Sequence, residues 1–152
     1  MKNNSALFYT CSLLEYIGRE IKQERSALAA ALGTPFIAQL YKDADVLHCE
    51  PIAKIADEVI SMQNLAVGSF DNVASCRYEV PDYWTIGEVY ERLIEDICGE
   101  DNSVKCIAST AMRVYTSWIS KAISNYNTDF FYQSRQYIYE CWNAGEVIQE
   151  AG

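Results

Sequence analysis

The fold of this chain is decided by the stretch Thr34-Pro-Phe-Ile-Ala-Gln-Leu-Tyr-Lys-Asp-Ala-Asp-Val-Leu-His-Cys-Glu-Pro-Ile-Ala-Lys-Ile-Ala-Asp-Glu-Val-Ile60, which predicts two amphipathic helices joined by a sharp break. Thr34-Pro35 is a typical helix start, because threonine caps free N–H groups and proline is tolerated in the first helical position. Apolar residues then recur at i, i+3 and i+4 spacing as far as His48. Glu50-Pro51 ends this helix, since the residue before a proline avoids the helical region. A second apolar stripe follows, so the two helices must fold back or cross.

The rest of the chain repeats this helical pattern. In the first helix the apolar residues share one face, whereas Glu15, Arg19 and Glu20 fall on the surface side. A later helix opens with a capping box, in which Thr85 accepts from the backbone and Glu88 reaches back. The other expected helices run over about 5–22, 26–32 (capped by Ser26 and ended by Gly33), 104–126 and 130–149.

The long connection over about 63–84 shows no helical period. We expect a short helical turn or a small strand in it, and core contacts rather than a binding surface. No alternating pattern elsewhere is long enough to build a sheet. The predicted fold class is therefore all-α: an irregular orthogonal helical bundle of six to seven helices, with one long ordered loop (about 63–84), in a single domain over residues 1–152. The side chains expected to hold the loop are Phe70, Val73, Tyr78, Val80, Tyr83 and Trp84.

The charge of the chain limits its partners. The formal net charge is −9, and residues 76–152 carry 12 acidic and 6 basic side chains. Direct nucleic-acid binding is not expected, because phosphate recognition needs a basic footprint. An acidic surface suits a basic protein partner, although many domains are acidic only to stay soluble. No apolar run approaches the length of a membrane span and no signal peptide is visible, so we expect a cytoplasmic protein without membrane contact.

Few residues can carry chemistry. His48 is the single histidine, and its place at a helix end favours a bond to the free carbonyl groups over catalysis. Six cysteines form no Cys-x-x-Cys pair, so neither zinc nor disulfides are expected. No glycine-rich phosphate loop is present. We therefore predict no catalytic residue, no cofactor and no metal ligand.

Aromatic residues are the more distinctive feature, with 11 tyrosines and 3 tryptophans. Tyr132 and Tyr139 lie off the helical face of Phe131 and Ile138, so one buried stripe cannot hold them all. Tyrosine and tryptophan are favoured at protein interfaces because they combine apolar area with a polar tip. The candidate interaction or pocket residues are Asp45, His48, Asp71, Tyr83, Trp84, Tyr132 and Tyr139.

Four motifs resemble a small family of uncharacterised bacterial proteins of similar length. They are Leu40-Tyr-x-x-Ala-Asp-Val-x-His48, Pro51-Ile-x-x-x-Ala-Asp57, Phe70-Asp-Asn-Val73 and Val80-Pro-x-x-Trp-x-Ile-Gly87. Members of that family are encoded beside presumed ADP-ribosylating toxin-like proteins and a second short protein. The resemblance implies a role in a toxin–antitoxin-like or defence module, and it supplies no catalytic residues.

Three functions follow from these observations. The first is a non-enzymatic protein-interaction module, an antitoxin or accessory partner, with homo-oligomerisation as a further option. The second is a small ligand-binding domain or enzyme with a pocket near His48, Asp45 and Cys49. The third is an acidic nucleic-acid mimic, which needs one exposed acidic strip formed by Glu88, Glu91, Glu95, Asp96, Glu100 and Asp101.

Overall fold

The computed structural model describes residues 4–149. Every regular element in this range is helical, which confirms the all-α prediction. None of the helices over residues 4–149 combines the length and apolar character that a membrane crossing requires. The elements are α1 (Ser5–Ile21), α2 (Arg25–Leu32), α3 (Thr34–Leu47), α4 (Ile52–Met62), α5 (Tyr83–Cys98), α6 (Val104–Tyr115), α7 (Trp118–Ser124), a 3-10 turn (Phe130–Tyr132) and α8 (Arg135–Ala144).

The helix pair α3 and α4 forms as its sequence predicts. Pro35 lies in the first turn of α3, and Pro51 immediately precedes α4. The proposed cap at Thr34 is wrong, because α3 already includes this residue and Gly33 precedes it with a φ of 82°. The Nδ1 atom of His48 lies 3.2 Å from the Ala44 carbonyl oxygen, which confirms the predicted carbonyl bond at the helix end.

Two other helix starts differ from the prediction. Helix α5 begins two residues before Thr85, because the Asp82 carboxylate accepts from the Trp84 N–H at 2.6 Å. The capping box at Thr85 is therefore not used. Helix α2 begins at Arg25 without any side-chain cap, so the cap assigned to Ser26 is also wrong.

The two predicted C-terminal helices are each interrupted. Thr116 and Ser117 separate α6 from α7, and their hydroxyl groups bond to the carbonyl oxygens of Met112 and Val114. Such local side-chain bonds compete with a continuous helix. The expected helix over 130–149 is a 3-10 turn followed by α8, which ends at Gly145 with a φ of 78°.

Helices α1 and α5 cross closely at the centre of the core. Both bury most of their apolar side chains, and Tyr90 of α5 stacks on Tyr115 of α6 with ring centroids 4.1 Å apart. At the crossing, Gly87 faces Ser12. A Cβ atom at position 87 would lie 2.8 Å from the Cα and N atoms of Ser12, so this packing requires glycine.

A buried ion pair corrects the prediction for Glu15. This side chain is 1% exposed instead of lying on the surface, and Arg25 is 0% exposed. Arg25 Nε donates to Glu15 Oε1 and Arg25 Nη2 donates to Glu15 Oε2, both at 3.0 Å, so the pair is bidentate. Arg19 Nε donates to the same carboxylate at 3.0 Å, and the Tyr126 hydroxyl donates to it as well.

The environment of Glu15 favours its ionised form. Burial alone would raise the pKa of Glu15, but the charges and hydrogen bonds of Arg25, the charge of Arg19 and the Tyr126 hydroxyl together lower it below its ordinary value. Burial and the Glu15 charge raise the pKa of Tyr126, so its hydroxyl remains a donor. The centre is thus a charged carboxylate surrounded by donors.

This ion pair holds the long loop in place. Arg25 Nη2 donates to Asn72 Oδ1 at 3.2 Å, and Asn72 Nδ2 donates to the Ser124 carbonyl at 2.9 Å. The loop backbone also bonds to the end of α1, since the N–H groups of Gly68 and Phe70 each lie 2.8 Å from a carbonyl oxygen there. The predicted ordered loop therefore exists, and part of its order comes from buried polar contacts.

Candidate functional site

The end of the long loop presents aromatic side chains to solvent. Val80 and Trp84 pack against the core as expected, but Tyr78 is 67% exposed, so its assignment to the core is wrong. Arg19 links this segment to the buried centre, because its Nη2 donates to the Pro81 carbonyl at 2.7 Å. The bond from Arg19 therefore fixes the loop backbone at Pro81, while the Tyr78 side chain extends into solvent.

Tyr78 lies on a cavity that we call the tyrosine cleft. Its volume is about 770 Å³. The 3-10 turn contributes Phe131 and Tyr132 to its lining, and Tyr132 is 81% exposed, more than any other large apolar or aromatic side chain over residues 4–149. The cleft therefore brings together the predicted residues Tyr83 and Tyr132, which are far apart in sequence. Its lining residues are Arg19, Tyr78, Glu79, Val80, Pro81, Asp82, Tyr83, Thr85, Phe131 and Tyr132.

A second, smaller cavity adjoins the tyrosine cleft. This adjoining groove has a volume of about 170 Å³ and lies between α5 and α8, lined in part by Val89, Arg92 and Ile138. Thr85, Phe131 and Tyr132 line both cavities. The exposed ring of Tyr132 therefore stands on a rim that two neighbouring depressions share.

The acidic and basic side chains that line the tyrosine cleft and the adjoining groove differ in how they are paired. Each arginine that lines either cavity is already paired with a carboxylate: Arg19 with Glu15, Arg92 with Glu88, and Arg135 with Asp96. Glu79 is exposed and has no cationic partner among the described residues, and Asp82 uses its carboxylate only to cap α5. Glu79 and Asp82 therefore outnumber Arg19 among the charged residues that line the cleft, which favours a cationic group.

The remaining predicted residues near α3 form a different cavity, the His48 groove. Its volume is about 360 Å³, and it brings together Asp45, His48 and Trp84. Phe8 packs on Trp84 with ring centroids 5.4 Å apart, and these two rings form part of the apolar lining. Cys49 is not among the lining residues and bonds instead to the Asp45 carbonyl at 3.6 Å.

Two predicted residues have mainly local contacts. Asp71 accepts from the Ala74 N–H at 2.9 Å and lies 3.8 Å from Lys22 Nζ, so it stabilises the loop. Tyr139 is half-buried against the core. Neither lines any of the three cavities described above.

The exposed acidic strip that nucleic-acid mimicry needs does not form. Glu91 is 5% exposed, which corrects its assignment to the surface. Glu88 and Asp96 each pair with an arginine. Over residues 4–149, no group of three or more His, Cys, Asp or Glu side chains is arranged to hold a metal ion.

The fold and these cavities define an all-helical domain with concave aromatic surfaces. No protein-family model matches the chain, and no curated protein and no solved structure is significantly similar to it. The function must therefore be inferred from the geometry of its surfaces.

Proposed function

We propose that this protein is a non-enzymatic interaction module that binds a basic segment of a protein partner through the tyrosine cleft. The observation that carries the proposal is the position of Tyr132, which is 81% exposed on the rim shared by the cleft and the adjoining groove. An exposed tyrosine beside a concave surface is typical of binding hot spots, because it adds apolar area at little cost in side-chain entropy. Tyr78 provides a second such ring, 67% exposed.

The charge of the cleft supports a basic partner. Glu79 lacks a cationic partner among the described residues, and two acids, Glu79 and Asp82, line the cleft together with one arginine, Arg19, which is bonded to Glu15. An arginine or lysine of the partner can bond to Glu79 and lie against a tyrosine ring. The net charge of −9 speeds the approach of such a partner.

A peptide selection tests this proposal. Random peptides displayed on phage would be selected on the wild-type protein and then measured by calorimetry. We expect the selected peptides to be rich in arginine and lysine. The Tyr78→Ser/Tyr132→Ser double variant should bind them about tenfold or more weakly, because each ring is a candidate hot spot. Its stability should change little, since both side chains are exposed.

Matched variants make the result specific. Val67→Ser removes another apolar side chain that is 74% exposed but lies outside the cleft, and it should bind as the wild type does. Glu79→Gln should weaken binding, whereas Glu58→Gln, an exposed acid on α4, should not. Selected peptides without basic residues, or equal binding by the double variant, would refute the proposal.

We further propose that the natural partner belongs to a toxin–antitoxin-like or defence module, with this protein as antitoxin or accessory partner. The support is the resemblance of the Leu40–His48 and Val80–Gly87 motifs to proteins encoded beside toxin-like proteins. Both motifs lie at the cavities, since Asp45 and His48 of the first line the His48 groove and Val80 of the second lines the tyrosine cleft.

The His48 groove favours a second candidate function, the binding of a small organic amine. Its size lies in the range of ligand pockets, and its lining combines Trp84 and Phe8 with the Asp45 carboxylate. That carboxylate has no ion pair among the described residues, whereas Glu50, at the same groove, pairs with Lys54 at 3.2 Å. An ammonium group can therefore lie beside Asp45 with its apolar body on the rings.

Phenethylamine and phenylacetate test this second function, because they share a shape and differ in charge. Binding is measured by tryptophan fluorescence, and phenethylamine should bind more tightly than phenylacetate. The Asp45→Asn variant should bind phenethylamine more weakly than the wild type does. Asp57→Asn, an exposed acid on α4, is the control. Equal binding of the two compounds, or no binding of either, would exclude this site for amines.

A further inference from the structure

Two cysteines that are eight residues apart in the sequence, on different helices, meet at the junction of α5 and α6. Cys98 is the last residue of α5, and Cys106 lies in the first turn of α6. Their Sγ atoms are 3.2 Å apart, and Thr110 Oγ1 lies 3.4 Å from the Cys98 sulfur. Both side chains are partly exposed and free. Sequence spacing did not predict this pair, because the two residues belong to different helices.

The other four cysteines lack such a neighbour. Cys11 and Cys141 are buried. Cys49 and Cys76 are reachable from solvent, but their sulfur atoms bond to backbone carbonyl oxygens. Within residues 4–149, only Cys98 and Cys106 have sulfur atoms within hydrogen-bonding distance of each other.

We propose that Cys98 and Cys106 form a dithiol site that a low-molecular-weight disulfide of the glutathione type oxidises to an internal disulfide. A disulfide has an S–S length of about 2.05 Å, so the two sulfur atoms need to approach by only about 1 Å. The connecting segment from Gly99 to Ser103 is exposed, and Gly99 has a φ of 64°. This short turn keeps both thiols together at the junction of α5 and α6.

The reaction proceeds in two exchange steps. Cys106 lies in the first turn of α6, where the helix N-terminus attracts negative charge, whereas Cys98 lies at the negative end of α5, so Cys106 is the first nucleophile. Its thiolate attacks one sulfur of the small disulfide, a mixed disulfide forms, and one small thiolate leaves. Cys98 then loses its proton and attacks the Cys106 sulfur, which releases the second small thiolate. The protein loses two electrons and two protons, and the small disulfide becomes two thiols.

Oxidised glutathione with mass spectrometry tests the site on the full chain. We expect the wild type to lose two hydrogens, and peptide mapping to show a Cys98–Cys106 cross-link. Cys98→Ser should stop at a glutathione adduct on Cys106, which is the trapped intermediate. The oxidised wild type should also melt about 5 °C higher, because the cross-link restricts the unfolded chain.

The other outcomes contradict the proposal. Separate glutathione adducts on Cys98 and Cys106 of the wild type, or two thiols that stay reduced while Cys49 reacts, would show that the pair is not a dithiol site. Cys76→Ser is the control and should leave the internal cross-link unchanged. The internal cross-link is measured on the wild-type protein, so an unstable variant does not affect the test.

Discussion

Arg25→Met is expected to lower the free energy of unfolding by about 3–5 kcal/mol, because it leaves the Glu15 carboxylate buried without its main partner. Asn72 Oδ1 and the Gln23 carbonyl would each lose a donor as well. Urea unfolding followed by circular dichroism measures this loss. Hydrogen exchange should also accelerate at the Gly68 and Phe70 amides, because the loop they belong to loses its buried support.

A surface arginine provides the matched control for this variant. Arg92 pairs with Glu88 four residues earlier, and the two side chains are 47% and 46% exposed. Arg92→Met should cost no more than about 1 kcal/mol. Glu15→Gln, added to Arg25→Met, should recover part of the loss, because it removes the unpaired charge. A loss for Arg25→Met no larger than that for Arg92→Met would contradict the proposed role of the buried pair.

The pH dependence of this effect has a definite sign. The pKa of Glu15 is lowered in the folded protein, so its ionised form stabilises the fold above its ordinary value of 4.5. That contribution is lost as the pH falls from 4.5 through the folded-state pKa. The difference in unfolding free energy between wild type and Arg25→Met should therefore narrow below pH 4.5. A difference that is constant or widens would contradict the charge argument.

Gly87→Ala is expected to destabilise the protein by about 2 kcal/mol or more, although alanine is the better helix former by about 1 kcal/mol. The added Cβ atom would lie 2.8 Å from backbone atoms of Ser12, and backbone cannot move aside as a flexible side chain can. The two central helices must therefore separate and lose contacts along their length. A thermal melt should show a fall of at least about 4 °C.

Two further variants isolate the cause of this loss. Thr85→Ala adds no contact at the crossing and lies exposed on the same helix, so stability should stay within about 0.5 kcal/mol. Ser12→Gly removes the hydroxyl that the new methyl group would also meet, and it should rescue Gly87→Ala only in part, because the backbone contacts remain. A Gly87→Ala protein as stable as the wild type would mean that helix propensity outweighs packing here.

Hydrophobic period and proline were enough to predict the fold class and the α3–α4 pair, since both signals are local. The burial of Glu15 could not be predicted, because its partner Arg25 lies beyond the corner between α1 and α2. The break between α6 and α7 had a local signal in Thr116-Ser117, whose hydroxyl groups bond to the preceding turn. That signal is weaker than a glycine or proline, so the sequence pattern predicts a continuous helix over about 104–126.

The candidate site was predicted only in part. Tyr132 is a candidate because it lies off the helical face of Phe131 and Ile138, and Tyr83 is both an expected loop anchor and a candidate site residue; both line the tyrosine cleft. Tyr78 was assigned to the core, because sequence alone cannot show which side of a loop faces the protein. That choice depends on buried bonds made by Asn72 and by Arg19, which only the tertiary structure reveals.

Chemical-shift mapping would locate the surface that binds a basic peptide. A basic peptide selected on the wild-type protein would be titrated into isotope-labelled protein, and backbone amide shifts would be recorded. We expect the largest shifts at residues 78–85 and 131–135, on both sides of the rim that Tyr132 occupies. Shifts centred on Ala44 to Ile52 at the His48 groove, or shifts without a defined location, would contradict it.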